Sequence, residues 1–192
     1  MLVNIIELQQ SMSKVLKPKR YVHVLGVQYT AASLAMVYGV DIYKAQVAGL
    51  LHDCAKYLSD EEMFQECENH RIDVTEGEKI ATQTLHAPVG AYLAQSIYGI
   101  TDLDIINAIR YHTIGRPNMS MLEKIIYIAD YIEPSRPADI IPNLDKIRKL
   151  AFTNIDKAVV ESIENTIFYV QSKNQLLNEN TYDTLNYYKT LV

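Results

Sequence analysis

Four of the five histidines, His23, His52, His86 and His112, fall far apart in the chain among apolar residues, and His52 is followed directly by Asp53. Neutral imidazole and carboxylate together suit borderline divalent metals such as iron, manganese, cobalt, nickel or zinc, and a helical core can gather such ligands from facing helices. Asp130 adds a sixth candidate within the apolar run Ile125 to Ile132. A carboxylate buried there needs a cation or several donors. These six side chains could form a two-metal centre. Neighbouring helical residues point about 100° apart, which casts Asp53, with its two oxygens, as a bridge: His23, His52 and Asp130 on one ion, His86 and His112 on the other, and Asp53 and a solvent oxygen shared. Paired metals lower the pKa of a bridging water and polarise a phosphoryl oxygen. The ordinary alternative for any single histidine is a hydrogen-bonded core or surface residue, Asp53 alone could pair with Lys56, and Asp130 alone with Arg136. His70, in a polar stretch, joins no other signal.

Cations surround these candidates. Lys56 lies three residues after Asp53 and Arg20 three before His23, one helical turn away in each case, while Arg116 and Arg136 fall in loops beyond the candidate helices. Arg and Lys stabilise polyphosphate leaving groups, so this set reads as a phosphate-holding rim with Lys56 foremost. For Arg110 and Arg71 an ordinary ion pair is the preferred reading.

Elements that could position these residues are mostly helical. Gly and Pro number only 7 and 6 in 192 residues, which disfavours a turn-rich sandwich or barrel. A run from Lys19 to Tyr38 follows Pro18 and meets Gly39 as a stop, and Asp41 caps a run expected to reach Tyr57. Ser59 to Glu62, Thr101 to Asp104 and Ser120 to Glu123 each set a capping residue three before a carboxylate. Further helices are expected over 82–97, 103–111, 122–132, 145–172 and 181–189, with longer loops at 68–78 and 133–142. One domain is expected, its core at about 18–135 and its C-terminal helices at about 143–192 forming an extension.

With a net charge of −5 the chain has no general reservoir of positive potential for nucleic acid. Cys54 and Cys67, 13 residues apart, show no metal or redox spacing and read as free thiols in a reducing compartment. Neither a signal peptide nor a membrane span is evident, so a soluble, cytoplasmic protein is the expectation.

The segment from Ala48 to Lys56, preceded by His23 and followed by His86, His112 and Asp130, resembles the HD-domain superfamily of metal-dependent phosphohydrolases. More narrowly, Leu85 to Gly90, Ala108 to Arg116 and Ile128 to Arg136 resemble the bacterial YqeK-type family, a likeness running from about Arg20 to beyond Asp156. The resemblance implies an all-α HD-domain helical bundle and a dinuclear centre of iron, with manganese or cobalt as substitutes. It also implies symmetrical hydrolysis of diadenosine tetraphosphate to two ADP through a metal-bridging hydroxide. By position, His23, His52, Asp53, His86, His112 and Asp130 would ligate metal and Lys56 would act on the phosphate or leaving group. Arg20, Thr113, Arg116, Glu133 and Arg136 would lie near the nucleotide. The expected partner is a small nucleotide, with neither nucleic acid nor membrane; a homodimer is compatible. Three rivals stay open: an HD enzyme for nucleoside phosphates or guanosine tetraphosphate, an HD di-iron oxygenase, and a non-catalytic metal and nucleotide sensor.

Overall fold

The computed structural model describes residues 3–192, and among them there is no β-strand. Eleven α-helices follow in order: α1 Ile5–Val15, α2 Pro18–Tyr38, α3 Ile42–Leu51, α4 Asp60–His70, α5 Glu76–Ile80, α6 His86–Ser96, α7 Leu103–Arg110, α8 Met121–Ile132, α9 Leu144–Ala151, α10 Ile155–Ser172 and α11 Asn180–Lys189, with a single 3-10 turn at Thr82–Thr84. None of the described helices is long and apolar enough to cross a membrane.

Local chemistry marks most of the boundaries. Pro18 fits the first turn of α2, where its missing N–H has no helical partner, and Gly39 takes a left-handed φ of 66° to end it. Reciprocal caps start α4 at Ser59 and Glu62 and α8 at Ser120 and Glu123. At α7 the cap is Asp102, whose carboxylate accepts from the Asp104 N–H at 2.9 Å, so Thr101 does not play the expected part.

Several expected elements change. The run from Asp41 ends as a helix at Leu51, and residues 52–57 fold as turns whose bonds span three residues, Cys54 N–H to Leu51 and Lys56 N–H to Asp53. Such tighter turns re-aim the side chains of His52 and Asp53 relative to a continuing α-helix. The helix expected over 145–172 divides at residues 152–154, where the Asn154 side chain accepts from the Lys157 N–H at 3.0 Å and begins α10. The expected 82–97 helix is a 3-10 turn followed by α6. Two elements were not expected at all. A cap of Thr75 and Glu78 starts α5, and α1 follows its Asn4 cap. Gln9 of α1 donates to Gln28 at 2.9 Å, and Gln28 in turn donates to Gln46 of α3 at 3.0 Å, which ties three helices through polar side chains.

One apolar core runs from Leu8 to Tyr188. Its centre is the packing of α2, α3, α7 and α8 on one another, with α6 against α7 and with α9, α10 and α11 layered outside α8. Helices α2 and α3 approach closely because residue 49 is glycine: a Cβ there would lie 2.9 Å from the Gln28 Cα. That contact sets the C-terminal end of α3, and the residues following it, beside His23.

Candidate metal centre

His23 projects from α2, His52 and Asp53 from the turns after α3, His86 from the first residue of α6, His112 from just past α7, and Asp130 from α8. The structure brings all six together. Asp53 is 2% exposed and stands at the middle of the cluster. Its Oδ2 lies 3.7 Å from His23 Nε2 and 3.5 Å from His52 Nε2, whereas its Oδ1 lies 3.4 Å from His86 Nε2 and 3.8 Å from His112 Nε2. Asp130 Oδ1 adds contacts of 3.0 Å to His23 Nε2 and 3.8 Å to His52 Nε2.

The far side of each ring fixes which nitrogen faces inward. The Nδ1 atoms of His52, His86 and His112 lie 2.7, 2.8 and 2.7 Å from the carbonyls of Gly49, Gln83 and Ile109, each three residues earlier. A carbonyl only accepts, so each Nδ1 carries the hydrogen and each Nε2 presents a lone pair. His23 turns its Nδ1 to Glu133, whose Oε1 is 3.0 Å away, and its Nε2 to the cluster. The Nε2 atoms of His86 and His112 are therefore two acceptors 3.1 Å apart, and the His52 acceptor lies 3.3 Å from the Nε2 of His23, which also faces Asp130 Oδ1 at 3.0 Å. Cations suit this donor set. Two groups have ligand atoms within 4.8 Å of one another, His23 with His52 and Asp130, and His52 with Asp53 and His112.

Electrostatics match that chemistry. Burial opposes charge on Asp53, but His52, His86 and His112 outweigh it and hold the carboxyl well below the usual range. Burial likewise opposes charge on Asp130, which Arg136 and His23 overcome. His112 is held down to about 4 by burial and by His52, and His86 falls well below the ordinary imidazole value by burial and the nearby Lys56. Both are neutral at physiological pH and available as ligands. Burial also pulls His23 down, yet Asp130 and Glu133 raise it to about 9. The buried Cys54 thiol is pushed up by burial and by Asp53, and donates to the Gly90 carbonyl at 3.4 Å. It is a neutral neighbour.

The cations divide into two groups. Arg20 Nη1 lies 2.7 Å from Asp53 Oδ2, and Arg136 pairs with Asp130 Oδ1 while its Nε donates to the Asp130 carbonyl at 2.7 Å. Both line a cavity of about 610 Å³ with Lys17, Lys19, His23, Ser135 and the carboxylate of Glu133. Lys56 is half-buried, its ammonium pulled down by burial, and among the described residues it forms no ion pair within 4 Å; Arg20 takes the Asp53 contact that Lys56 could have made. Arg116 is engaged elsewhere. Its guanidinium holds the buried Glu123 at 2.8 and 3.1 Å and stands 4.7 Å from the centre of the Tyr111 ring. Arg110 clamps Glu78, the ordinary ion pair expected of it. Thr113 does reach the cluster, its Oγ1 being 3.4 Å from His112 Nε2 and 3.5 Å from His86 Nε2.

Glu133, expected near the nucleotide, is 1% exposed behind His23, where it also accepts from the Ser135 N–H at 2.7 Å, and it lines the same cavity as Arg20 and Arg136. Gly26 makes room for it, since a Cβ at that position would lie 2.4 Å from Glu133 Oε2. Sequence reasoning missed Gly26, Ser135, Lys17 and Lys19. Only the proximity of Lys17 and Lys19 to Arg20 along the chain hinted at the last two. His70 stacks on Tyr92, ring centres 4.6 Å apart, away from the cluster.

A model of the HD domain matches residues 20–135 of this chain. The symmetrical bis(5'-nucleosyl)-tetraphosphatase of Bacillus subtilis is 45% identical over 175 residues, covering 88% of each chain. The protein of the same name from Staphylococcus aureus is 37% identical over 188 residues, covering 97% of this chain and 95% of its own. Among solved structures, a protein of Clostridium acetobutylicum described as an HD superfamily hydrolase involved in NAD metabolism superposes with a TM-score of 0.93 at 41% identity, each chain covered in full.

Proposed function

The chain belongs to the HD-domain family, and from that membership we propose that it is a metal-dependent hydrolase that splits diadenosine tetraphosphate symmetrically into two ADP. The observation carrying this reading is the division of Asp53, with one oxygen toward His23 and His52 and the other toward His86 and His112. A carboxylate so placed would bridge two cations. His23, His52 and Asp130 would hold one, His86 and His112 the other, and iron fits the mixed imidazole and carboxylate donors, with manganese or cobalt as substitutes. When bound, paired cations lower the pKa of a shared water and polarise a phosphoryl oxygen.

The chain's own residues supply the rest. Arg20 and Arg136, with Lys17 and Lys19 beside them, give the cavity next to His23 the positive field that a tetraphosphate chain requires on an acidic protein. Lys56, drawn partly out of water, neutralises charge that develops on the departing ADP, where a desolvated ammonium acts most strongly. Thr113 offers a hydroxyl beside the pair formed by His86 and His112. Water adds to one phosphorus as the central phosphoanhydride bond breaks, and a proton is released; holding the substrate so that its two ADP halves lie on either side of Asp53 makes the cleavage symmetrical.

Chromatography of the products from diadenosine tetraphosphate, beside nucleoside triphosphates and guanosine tetraphosphate, tests the assignment. ADP as the only product, formed far faster than anything from the other nucleotides, supports it. Preferential cleavage of another nucleotide would point to a different HD phosphohydrolase, oxygen consumption without phosphate chemistry to an oxygenase, and binding without turnover to a sensor.

A further inference from the structure

The two carboxylates of the centre are each held by an arginine that comes from the surface. Arg20 contacts Asp53 at Oδ2, the oxygen that also faces His23 and His52, and Arg136 contacts Asp130 at Oδ1, which faces the same two histidines. In each pair the guanidinium and a cation held by those histidines would share one carboxylate oxygen. Like charges so close oppose each other. The Arg20 side chain is 40% exposed against 3% for Asp53, so its head can turn outward without leaving solvent. It would turn into the cavity that also holds Arg136, Lys17 and Lys19, where these cations outnumber the one carboxylate of the lining, Glu133. Among the described residues neither lysine forms an ion pair within 4 Å.

We propose that Arg20 and Arg136 are exchangeable counter-ions, neutralising Asp53 and Asp130 before cations enter and turning to the phosphate chain of the substrate afterwards. The inference rests on the proposed metal centre. It adds that metal loading itself completes the anion-binding surface, so that cations and polyphosphate bind with positive coupling beyond any direct contact between them. Coupling of this kind is reciprocal: an arginine that a cation displaces must itself weaken cation binding. A guanidinium suits the exchange because its fork pairs as readily with phosphate as with carboxylate.

Two titrations test it, with Mn²⁺ alone and with inorganic tripolyphosphate, on the parent and on R20Q and R136Q, each checked for folding by circular dichroism. The expected result has two parts. Each variant binds Mn²⁺ more tightly than the parent, by about fivefold at the low end of such couplings. Each loses about tenfold in tripolyphosphate affinity when Mn²⁺-loaded, yet little when metal-free. R20K and R136K, which keep the charge and fold more securely, fall between parent and glutamine variants in both titrations. Weaker Mn²⁺ binding by the glutamine variants, or equal loss of tripolyphosphate in both states, overturns the exchange while leaving the metal centre standing. A parent that binds no Mn²⁺ overturns both.

Discussion

Glu133 Oε1 lies 3.0 Å from His23 Nδ1, on the side of the ring opposite Asp130, although the two residues are 110 positions apart in the chain. The contact fixes the hydrogen on Nδ1 and leaves Nε2 to face the cluster, a role that partners of ligating histidines fill in metal sites generally. Glu133→Gln keeps the shape and removes the charge. It is expected to weaken metal affinity about 10- to 100-fold without unfolding the chain. Gly26→Ala should produce the same loss by another route, because its Cβ would meet Glu133 Oε2. Metal titration of both variants checks this; unchanged affinity in both would show that Glu133 does not support the centre.

Lys56 provides a different signature. It makes no ion pair with a described carboxylate, yet it stands close enough for its charge to be felt at Asp53 and His86. Lys56→Ala is therefore expected to leave metal content intact while lowering turnover about 10²- to 10³-fold. Metal analysis and steady-state kinetics on one preparation separate the two effects. Loss of metal in this variant would place Lys56 among the supports of the centre instead.

The histidines give opposing pH dependences to the metal-free protein. His23 is raised to about 9 from 6.5, so the stability it contributes is fully present below about 6.5 and is lost as pH rises through 9. His112 is lowered from 6.5 to about 4, so its contribution is present above 6.5 and is lost as pH falls through 4. Thermal melts across pH should show a maximum near neutrality with declines on both flanks. Replacing His23 by Asn should flatten the alkaline decline, and replacing His112 by Asn the acid one. Melts whose flanks respond to neither substitution contradict these assignments.

Arg110 is a structural counterpart to the arginines of the centre. Its guanidinium holds Glu78, which is buried and also caps α5, and donates to the Asp73 carbonyl at 3.3 Å. Arg110→Ala strands a buried carboxylate, and a loss of about 3 kcal/mol in unfolding free energy is expected. Metal content at saturation should not change. Denaturant unfolding checks the first expectation; a variant as stable as the parent would mean that Glu78 finds another partner.

Much of this was legible in the sequence because ionisable residues interrupt apolar helices at a cost that demands an explanation. His52 and Asp53 follow Leu50 and Leu51, and Asp130 sits inside an unbroken apolar run, so the ligand candidates could be named before their separations were known. The helix starts at Ser59 and Ser120 were equally readable from reciprocal caps. What was hidden depends on tertiary contact. The carbonyls of Gly49, Gln83 and Ile109 that orient three histidines are backbone atoms and have no residue signature. Arg116 reads as a rim cation because it follows His112, and its ion pair with Glu123 has no signal, since Glu123 reads in the sequence only as a helix cap. At residues 52–57 only Ala55 and Lys56 are good helix formers, while His52, Asp53 and Cys54 are weak ones, so local preference does not hold the expected helix past Leu51.

The count of metal ions per chain tests most directly the claim that Asp53 joins two cations. Protein purified without oxygen, loaded with Fe²⁺ or Mn²⁺ and freed of excess, should hold two ions per chain, and Asp53→Ala should hold fewer and lose at least about a thousandfold in rate. One ion or none per chain in the parent, or full occupancy and activity in the variant, would contradict a bridging Asp53.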